Sequence, residues 1–156
     1  MTTKSLLSDT RRAELDTAAM ELLRLYGVDG PPVPIEKILR RPPGNLWQPD
    51  LSDLSLQSFD AHERYAARPT VARLVARYMA QSQWARQRGL VDSSSELTEA
   101  EVRYLGRALL MPRDWMMELH ATERVPTSVR LRFHVPKPDA AERLSELRLE
   151  STGGVQ

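Results

Sequence analysis

Apolar residues follow the helical spacing of three and four positions along most of this chain. In the first predicted helix this stripe comprises Leu15, Ala18, Ala19 and Leu22. Ser8 or Asp9 can begin the helix as its N-cap, and Gly27 can end it after Tyr26. Pro34 fits the first turn of a second, short helix over residues 35–40. The pattern therefore predicts that the first forty residues are largely helical.

A third helix is predicted over residues 69–89. Its apolar stripe has the spacing i, i+3, i+4, i+7, i+8 and comprises Val71, Leu74, Val75, Tyr78 and Met79. At about 100° per residue, four other positions fall on the opposite face; they are Thr70, Arg73, Arg77 and Trp84. This face is either a solvated helix surface or a binding surface at the floor of a cleft.

The rest of the chain predicts more helix and little sheet. Helical segments are expected from residue 98, over 113–121, over 127–133 and over 139–149. The apolar–polar alternation of residues 54–59 and the pair Leu46–Trp47 favour short strands within residues 43–59. We therefore expect an α+β, predominantly helical fold of about six helices with a two- or three-stranded β element. Residues 1–150 would form one domain, and residues 151–156 a disordered tail.

Composition narrows the classes of function. The chain has 156 residues, a net charge of +1 and no cysteine. Absence of cysteine excludes disulfides and thiolate zinc sites, and a charge near zero gives no overall argument for a nucleic-acid partner. No apolar run approaches the roughly 20 residues that span a bilayer, and the N-terminal segment lacks a signal-peptide core. The expected location is the cytoplasm, without a membrane partner.

Residues 68–78, with the sequence R-P-T-V-A-R-L-V-A-R-Y, resemble the segment R-F-T-L-A-H-E-L-G-H-Y of the ImmA/IrrE-type zinc metallopeptidases. In that family the two histidines bind zinc and the glutamate is the general base. Here Arg73 and Arg77 occupy the histidine positions and Leu74 the glutamate position. A guanidinium cannot ligate a metal, and leucine cannot accept a proton. The resemblance therefore implies a pseudo-peptidase with no metal and no cofactor.

Three further segments resemble stretches of that family, and they occur in the same order along the chain. They are P-V-P-I-E-K-I-L at residues 32–39, the stretch 99–112 that ends in L-L-M-P, and F-H-V-P at 133–136 followed by Arg143-Leu144. In the family, the third zinc ligand lies near the start of the helix that ends in L-L-M-P. Glu99 matches that ligand better than Glu101. The resemblance implies a zincin-like core, although only residues 43–59 are available for its β region.

Charges are segregated around these motif positions. Residues 64–88 contain six arginines and no acid, whereas residues 92–101 contain four acids and no base. If the family arrangement holds, Arg73 and Arg77 face Glu99, or less favourably Glu101, in an ion-pair cluster where the metal would be. The simpler alternative is that both arginines belong to a solvated helix face. Thr98 and Glu101 also form a capping-box pattern, which would engage Glu101 locally.

Two functions from different classes follow. The first is a catalytically inactive, regulatory protein that binds a helix-turn-helix-type transcriptional regulator or a toxin–antitoxin-type partner, as the resemblance implies. The second is a small nucleic-acid-associated regulator that uses the basic face of residues 64–88. The two closing helices offer weaker support for the second, because bases there alternate with Asp139, Glu142 and Glu146. Neither His120 nor His134 has a partner at metal-ligand spacing.

Overall fold

The computed structural model describes residues 7–48, 65–92 and 95–150. These residues form eight α-helices and two short 3-10 helices, at Pro43–Asn45 and Ala121–Glu123. The α-helices in chain order are α1 (Asp9–Tyr26), α2 (Ile35–Arg40), α3 (Ala67–Gln81), α4 (Gln83–Gln87), α5 (Glu99–Leu110), α6 (Arg113–Met117), α7 (Pro126–Phe133) and α8 (Lys137–Glu146).

The expectation of an α+β fold with a zincin-like core is wrong, because the described residues are helical and contain no β-strand. The predicted strand Leu46–Trp47 directly follows the 3-10 helix Pro43–Asn45 and is not extended. In that 3-10 helix, Gly44 and Asn45 have φ of 60° and 54°. Trp47 is buried, and its indole N–H donates a hydrogen bond to the Leu39 carbonyl at 3.2 Å. This turn geometry cannot continue as an extended strand. The predicted strand at residues 54–59 and the tail at 151–156 lie outside the described residues.

The bounds of α1 agree with the sequence prediction. The Ser8 hydroxyl accepts a hydrogen bond from the Arg11 amide at 3.1 Å, so Ser8 is the N-cap. Gly27 ends the helix in the left-handed conformation with φ of 92°, which favours glycine because it has no Cβ. No helix in the described part of the chain is long and apolar enough to cross a membrane.

The predicted single helix over residues 69–89 is in fact two helices. Ser82 has φ of −77° and ψ of 155°, and its hydroxyl accepts a hydrogen bond from the Ala85 amide at 3.2 Å. The serine therefore ends α3 and caps α4. Because the chain changes direction here, the angular relation that placed Trp84 on the face of Arg73 and Arg77 does not hold.

Helices α3 and α5 pack closely against each other where α5 has a glycine. A Cβ built at Gly106 would lie 3.2 Å from Arg73 Cγ and 3.4 Å from the Arg73 backbone nitrogen. Val75 and Ala76 of α3 and Leu105 of α5 are fully buried in the core. Glycine at position 106 thus lets α5 approach the backbone of α3 at the centre of the helix pair.

The closing helices α7 and α8 are joined by a short turn at His134, whose φ is 58°. The Arg68 Nε donates a hydrogen bond to the His134 carbonyl at 2.7 Å, and the His134 ring stacks on Tyr65 with centroids 4.7 Å apart. Val135 then enters the core. The start of α3 therefore fixes the turn between the last two helices.

Candidate functional site

The first turn of α5 positions the two glutamates of the predicted site. The Thr98 hydroxyl accepts a hydrogen bond from the Glu101 amide at 3.1 Å, and a Glu101 carboxylate oxygen accepts one from the Thr98 amide at 2.8 Å. The capping box is therefore confirmed. Burial alone would raise the pKa of Glu101, but hydrogen bonds from Thr98 and the Arg11 guanidinium hold that pKa below its ordinary value. Glu101 is fully engaged and does not face α3.

Glu99 contacts Arg77 across the two helices. The Arg77 Nη2 lies 3.2 Å from Glu99 Oε1 and 3.1 Å from Glu99 Oε2. Arg103, one turn along α5, has its Nε 3.7 Å from Glu99 Oε1. The predicted contact between Arg77 and Glu99 is therefore present. Both side chains are largely solvated, with exposed fractions of 44% and 59%.

Arg73 does not join this contact. Its Nη2 donates a hydrogen bond to the Thr70 hydroxyl at 3.3 Å, and no ion pair links it to Glu99 within the described residues. Burial lowers the pKa of Arg73, and the acid that opposes this most is Asp139 of α8. Burial in turn raises the pKa of Asp139. The predicted cluster of both arginines on Glu99 is thus reduced to Arg77, because Arg73 makes no ion pair with Glu99 and packs against Gly106 of α5.

The other two predicted positions have separate environments. Leu74 is half-buried and packs against the core. Trp84 is buried within α4, and the Arg88 guanidinium lies 3.9 Å from the centre of its ring. The Arg88 Nε also donates to Glu21 at 2.5 Å. The structure therefore separates Trp84 from Thr70, Arg73 and Arg77.

A pocket of about 370 Å³ adjoins the Arg77–Glu99 contact, between the end of α3 and the segment that leads into α5. Its apolar wall comprises Ala80, Val91, Leu97 and Val102. Its charged rim comprises Arg77, Arg86, Asp92, Glu96 and Glu99. An apolar wall with charges of both signs at the rim suits a peptide side chain and its neighbouring backbone better than it suits a simple ion.

The described side chains around this site form an ion pair beside an apolar wall. No group of three histidine, cysteine, aspartate or glutamate side chains that could hold a metal ion occurs in the described part of the chain. Glu99 is held by guanidinium groups, and the hydrocarbon side chain of Leu74 cannot accept a proton. The Arg77–Glu99 pair therefore presents hydrogen-bond donors and acceptors at the surface of the protein.

A second ionic cluster, buried in the core, was not predicted from the sequence. The Arg143 Nη2 lies 2.7 Å from Asp16 Oδ1, and the Tyr104 hydroxyl donates to Asp16 Oδ2 at 2.7 Å. The Arg143 Nε donates to the Met111 carbonyl at 2.9 Å. Asp16 interrupts the apolar stripe of α1, and Arg143 adjoins the buried Leu144 of α8. Two opposite charges at positions of the apolar stripes were the available indication. From the sequence, Arg143 enters only through the family resemblance and as one of the basic residues of the closing helices, and not as a partner of Asp16.

Several arginines of residues 64–88 contact other groups of the protein. Arg68 donates to the Val33 and His134 carbonyls and contacts Glu36. Arg77 contacts Glu99, and Arg88 contacts Glu21 and Trp84. Arg64 lies outside the described residues. Most of these guanidiniums are therefore engaged with groups of the protein itself.

Comparison with known proteins identifies no relative. No protein-family model, no curated protein and no solved structure matches the chain. The resemblance to the ImmA/IrrE-type peptidases therefore rests on the quoted sequence segments alone.

Proposed function

We propose that this protein is a non-catalytic regulator that binds a protein partner at the edge formed by the end of α3 and the start of α5. We further propose that it is a degenerate relative of the ImmA/IrrE-type peptidases that has lost the zinc chemistry. The observation that supports this is the Arg77 Nη2 contact with both Glu99 oxygens, at 3.2 and 3.1 Å. The proposal does not include an α+β core, which the helical fold contradicts.

The motif positions support a binding role rather than hydrolysis. In the family the histidine at the position of Arg77 and the acid at the position of Glu99 would share a metal ion, and here the two side chains share an ion pair. Arginine and carboxylate match in geometry as well as in charge, so the guanidinium satisfies the acid without a metal. Leu74 supplies no base for activating water. In this proposal the Arg77–Glu99 ion pair joins α3 and α5 where the family has a catalytic metal site.

The partner class comes from the resemblance and from the adjoining pocket. Active members of the family act on helix-turn-helix repressors, which implies a transcriptional regulator or a toxin–antitoxin-type protein as partner. The pocket of about 370 Å³ offers an apolar wall for one side chain and charges of both signs for backbone and polar groups. A partner segment would dock there with an apolar residue at its centre.

Site-specific photo-crosslinking tests the binding role. A photoreactive amino acid replaces Gln81, which is exposed and lines the pocket, or Gln87, which is exposed at the end of α4 and is not among the residues lining the pocket. In native cells we expect one protein to crosslink from position 81 and not from position 87. Crosslinking of that protein from position 81 should also be weaker when Leu97→Lys places a charge in the apolar wall of the pocket. Equal crosslinking from both positions, or cleavage of the captured protein during incubation, would contradict the proposal.

Metal analysis tests the loss of zinc chemistry independently. The protein purified from cells grown with zinc should contain no stoichiometric zinc. About one zinc ion per chain that is lost in Glu99→Gln would show that the motif has been placed wrongly. DNA binding with a steep salt dependence would instead favour the nucleic-acid alternative.

A further inference from the structure

A larger cavity, of about 470 Å³, lies between α1, α5, α6 and the end of α8, and it is lined by both charged and apolar side chains. Five carboxylates and four arginines reach its surface. At first sight the cavity is therefore slightly acidic. Once the ion pairs of the individual side chains are considered, the uncompensated charge in the cavity is positive.

Three of the five carboxylates are already matched by arginines that do not line the cavity. These pairs are Asp16 with Arg143, Glu21 with Arg88, and Glu146 with Arg107. Asp16 accepts hydrogen bonds on both oxygens, at 2.7 Å each, so it has little capacity left for a cation. The acids at the floor of the cavity are thus neutralised from the protein side.

The two remaining carboxylates pair with two of the cavity arginines. Asp114 Oδ2 lies 3.4 Å from Arg24 Nη2, and Asp9 Oδ1 lies 4.0 Å from Arg148 Nη2. Arg12 and Arg113 are left, and neither has a carboxylate partner among the described residues. The cavity therefore carries two guanidiniums that no acid of the described chain neutralises.

Arg12 is also held in place. Its guanidinium lies 5.7 Å from the centre of the Tyr104 ring, and its Nη1 donates to the Glu146 carbonyl at 3.3 Å. Its Nε has no hydrogen-bond partner in the described part of the chain. The side chain is thus positioned by neutral groups, and its positive charge remains uncompensated.

The pocket beside Glu99 has the opposite balance of charge. There Arg77 pairs with Glu99, and the remaining charged groups are Arg86 against Asp92 and Glu96. That pocket has a surplus of negative charge, whereas the larger cavity has a surplus of two positive charges. The two sites therefore differ in the sign of the ligand that they favour.

We propose that the cavity between α1, α5, α6 and α8 is a binding site for a phosphate dianion, either inorganic phosphate or a small organic phosphomonoester. A phosphomonoester carries about −1.5 to −2 charges at neutral pH, which matches two guanidiniums. Met20, Leu147 and Ala13 form an apolar wall that can pack against an organic group. The volume also lies within the range of about 300–1,000 Å³ that is usual for small-molecule sites. This inference is independent of the function proposed for the α3–α5 edge.

Calorimetric titration with inorganic phosphate and with phenyl phosphate, at constant ionic strength, tests the site. Wild-type protein should bind at least one of them, and Arg113→Gln and Arg12→Gln should each weaken binding about tenfold or more. Arg40→Gln is the matched control, because Arg40 is exposed and does not line this cavity. Its affinity should stay within about twofold of wild type, the usual effect of removing a distant solvated charge.

The pH dependence gives a second readout. Because the second pKa of a phosphomonoester is about 6, affinity should fall as the pH decreases through that value and the ligand becomes a monoanion. Tighter binding of phenyl phosphate than of inorganic phosphate would identify an organic ligand, and equal binding would identify inorganic phosphate. Arg113 is exposed, so its variant is expected to fold, which circular dichroism will verify. Binding that is undetectable, unaffected by Arg113→Gln, or weakened equally by Arg40→Gln would overturn the proposal.

Discussion

Two contacts between an arginine and a carboxylate, one buried and one exposed, occupy different regions of this molecule. Arg143 is fully buried against Asp16 at 2.7 Å, whereas Arg77 and Glu99 remain 44% and 59% exposed at 3.1 Å. Water screens the exposed pair strongly and the buried pair weakly. The same two chemical groups are therefore held by burial in one place and remain accessible to solvent in the other.

The difference also lies in the number of partners. Asp16 receives hydrogen bonds from both Arg143 and Tyr104, and Arg143 bonds a backbone carbonyl as well. Glu99 contacts the guanidinium group of Arg77 and, at a longer distance, that of Arg103, and it is exposed to solvent. A side chain in the buried cluster therefore cannot be removed without leaving another polar group unsatisfied.

The largest effect is expected from Arg143→Met. This change leaves the buried Asp16 carboxylate without a counter-charge, and it should lower the free energy of unfolding by about 3–5 kcal/mol. Urea denaturation measures the loss. Asp16→Asn in the same background should recover part of it, because the unpaired charge is then gone. A loss below about 1 kcal/mol would show that the cluster behaves like a surface pair.

Titration of Tyr104 should have an intermediate effect on the free energy of unfolding. Burial raises the pKa of Tyr104 to about 12, and Asp16 acts in the same direction while Arg143 opposes it. Since the ordinary pKa is 10.0, the unfolded chain loses this proton before the folded protein does. Stability is therefore fully present below pH 10 and falls as the pH rises towards about 12.

Urea midpoints measured across that interval, for wild type and Tyr104→Phe, isolate the contribution of Tyr104. The variant lacks the titrating phenol, so its midpoint should depend less steeply on pH. Identical slopes for the two proteins would contradict the raised pKa.

Gly106→Leu tests the close approach of α3 and α5. A Cβ at this position already lies 3.2 Å from Arg73 Cγ, and a larger side chain must displace Arg73 or the helix. We expect a loss of roughly 1–3 kcal/mol from overpacking, despite the better helix propensity of leucine. Gly106→Ala should cost less, and Arg73→Ala should relieve part of the leucine effect. A stabilised Gly106→Leu protein would show that the helices can separate freely.

The smallest effect is expected at the exposed pair. Arg77→Gln or Glu99→Gln should change the free energy of unfolding by no more than about 1 kcal/mol, and high salt should reduce that change further. A double-mutant cycle in urea measures the coupling. A coupling energy comparable to that of Arg143 and Asp16 would remove the distinction between the two regions.

Local signals in the sequence explain what was predictable. Ser8 and Gly27 bound α1, and Thr98 with Glu101 caps α5, because these residues act through hydrogen bonds within their own turn. The Arg77–Glu99 contact was predicted from the family resemblance and the segregation of charge. It requires only that α3 and the start of α5 are neighbours.

Features that depend on distant residues could not be predicted. The periodic pattern is compatible with Ser82 in the interior of one long helix. The helix ends there because Trp84 and Ala85 pack into the core. Leu46 and Trp47 have strand propensity, but a hydrogen bond from Trp47 to the Leu39 carbonyl holds them in a turn. The interaction of Arg73 with Asp139 depends on where α8 packs, which no local pattern specifies.

The separation between Asp16 and Arg143 along the chain has a consequence for synthesis. The two residues are 127 positions apart, so α1 leaves the ribosome long before its counter-charge exists. Until α8 emerges, docking of α1 would bury an unpaired carboxylate, which disfavours early assembly of the core. The nascent chain should therefore stay sensitive to proteases until α8 has been made. Assembly of the core would then be completed by a step that joins α1 to α8.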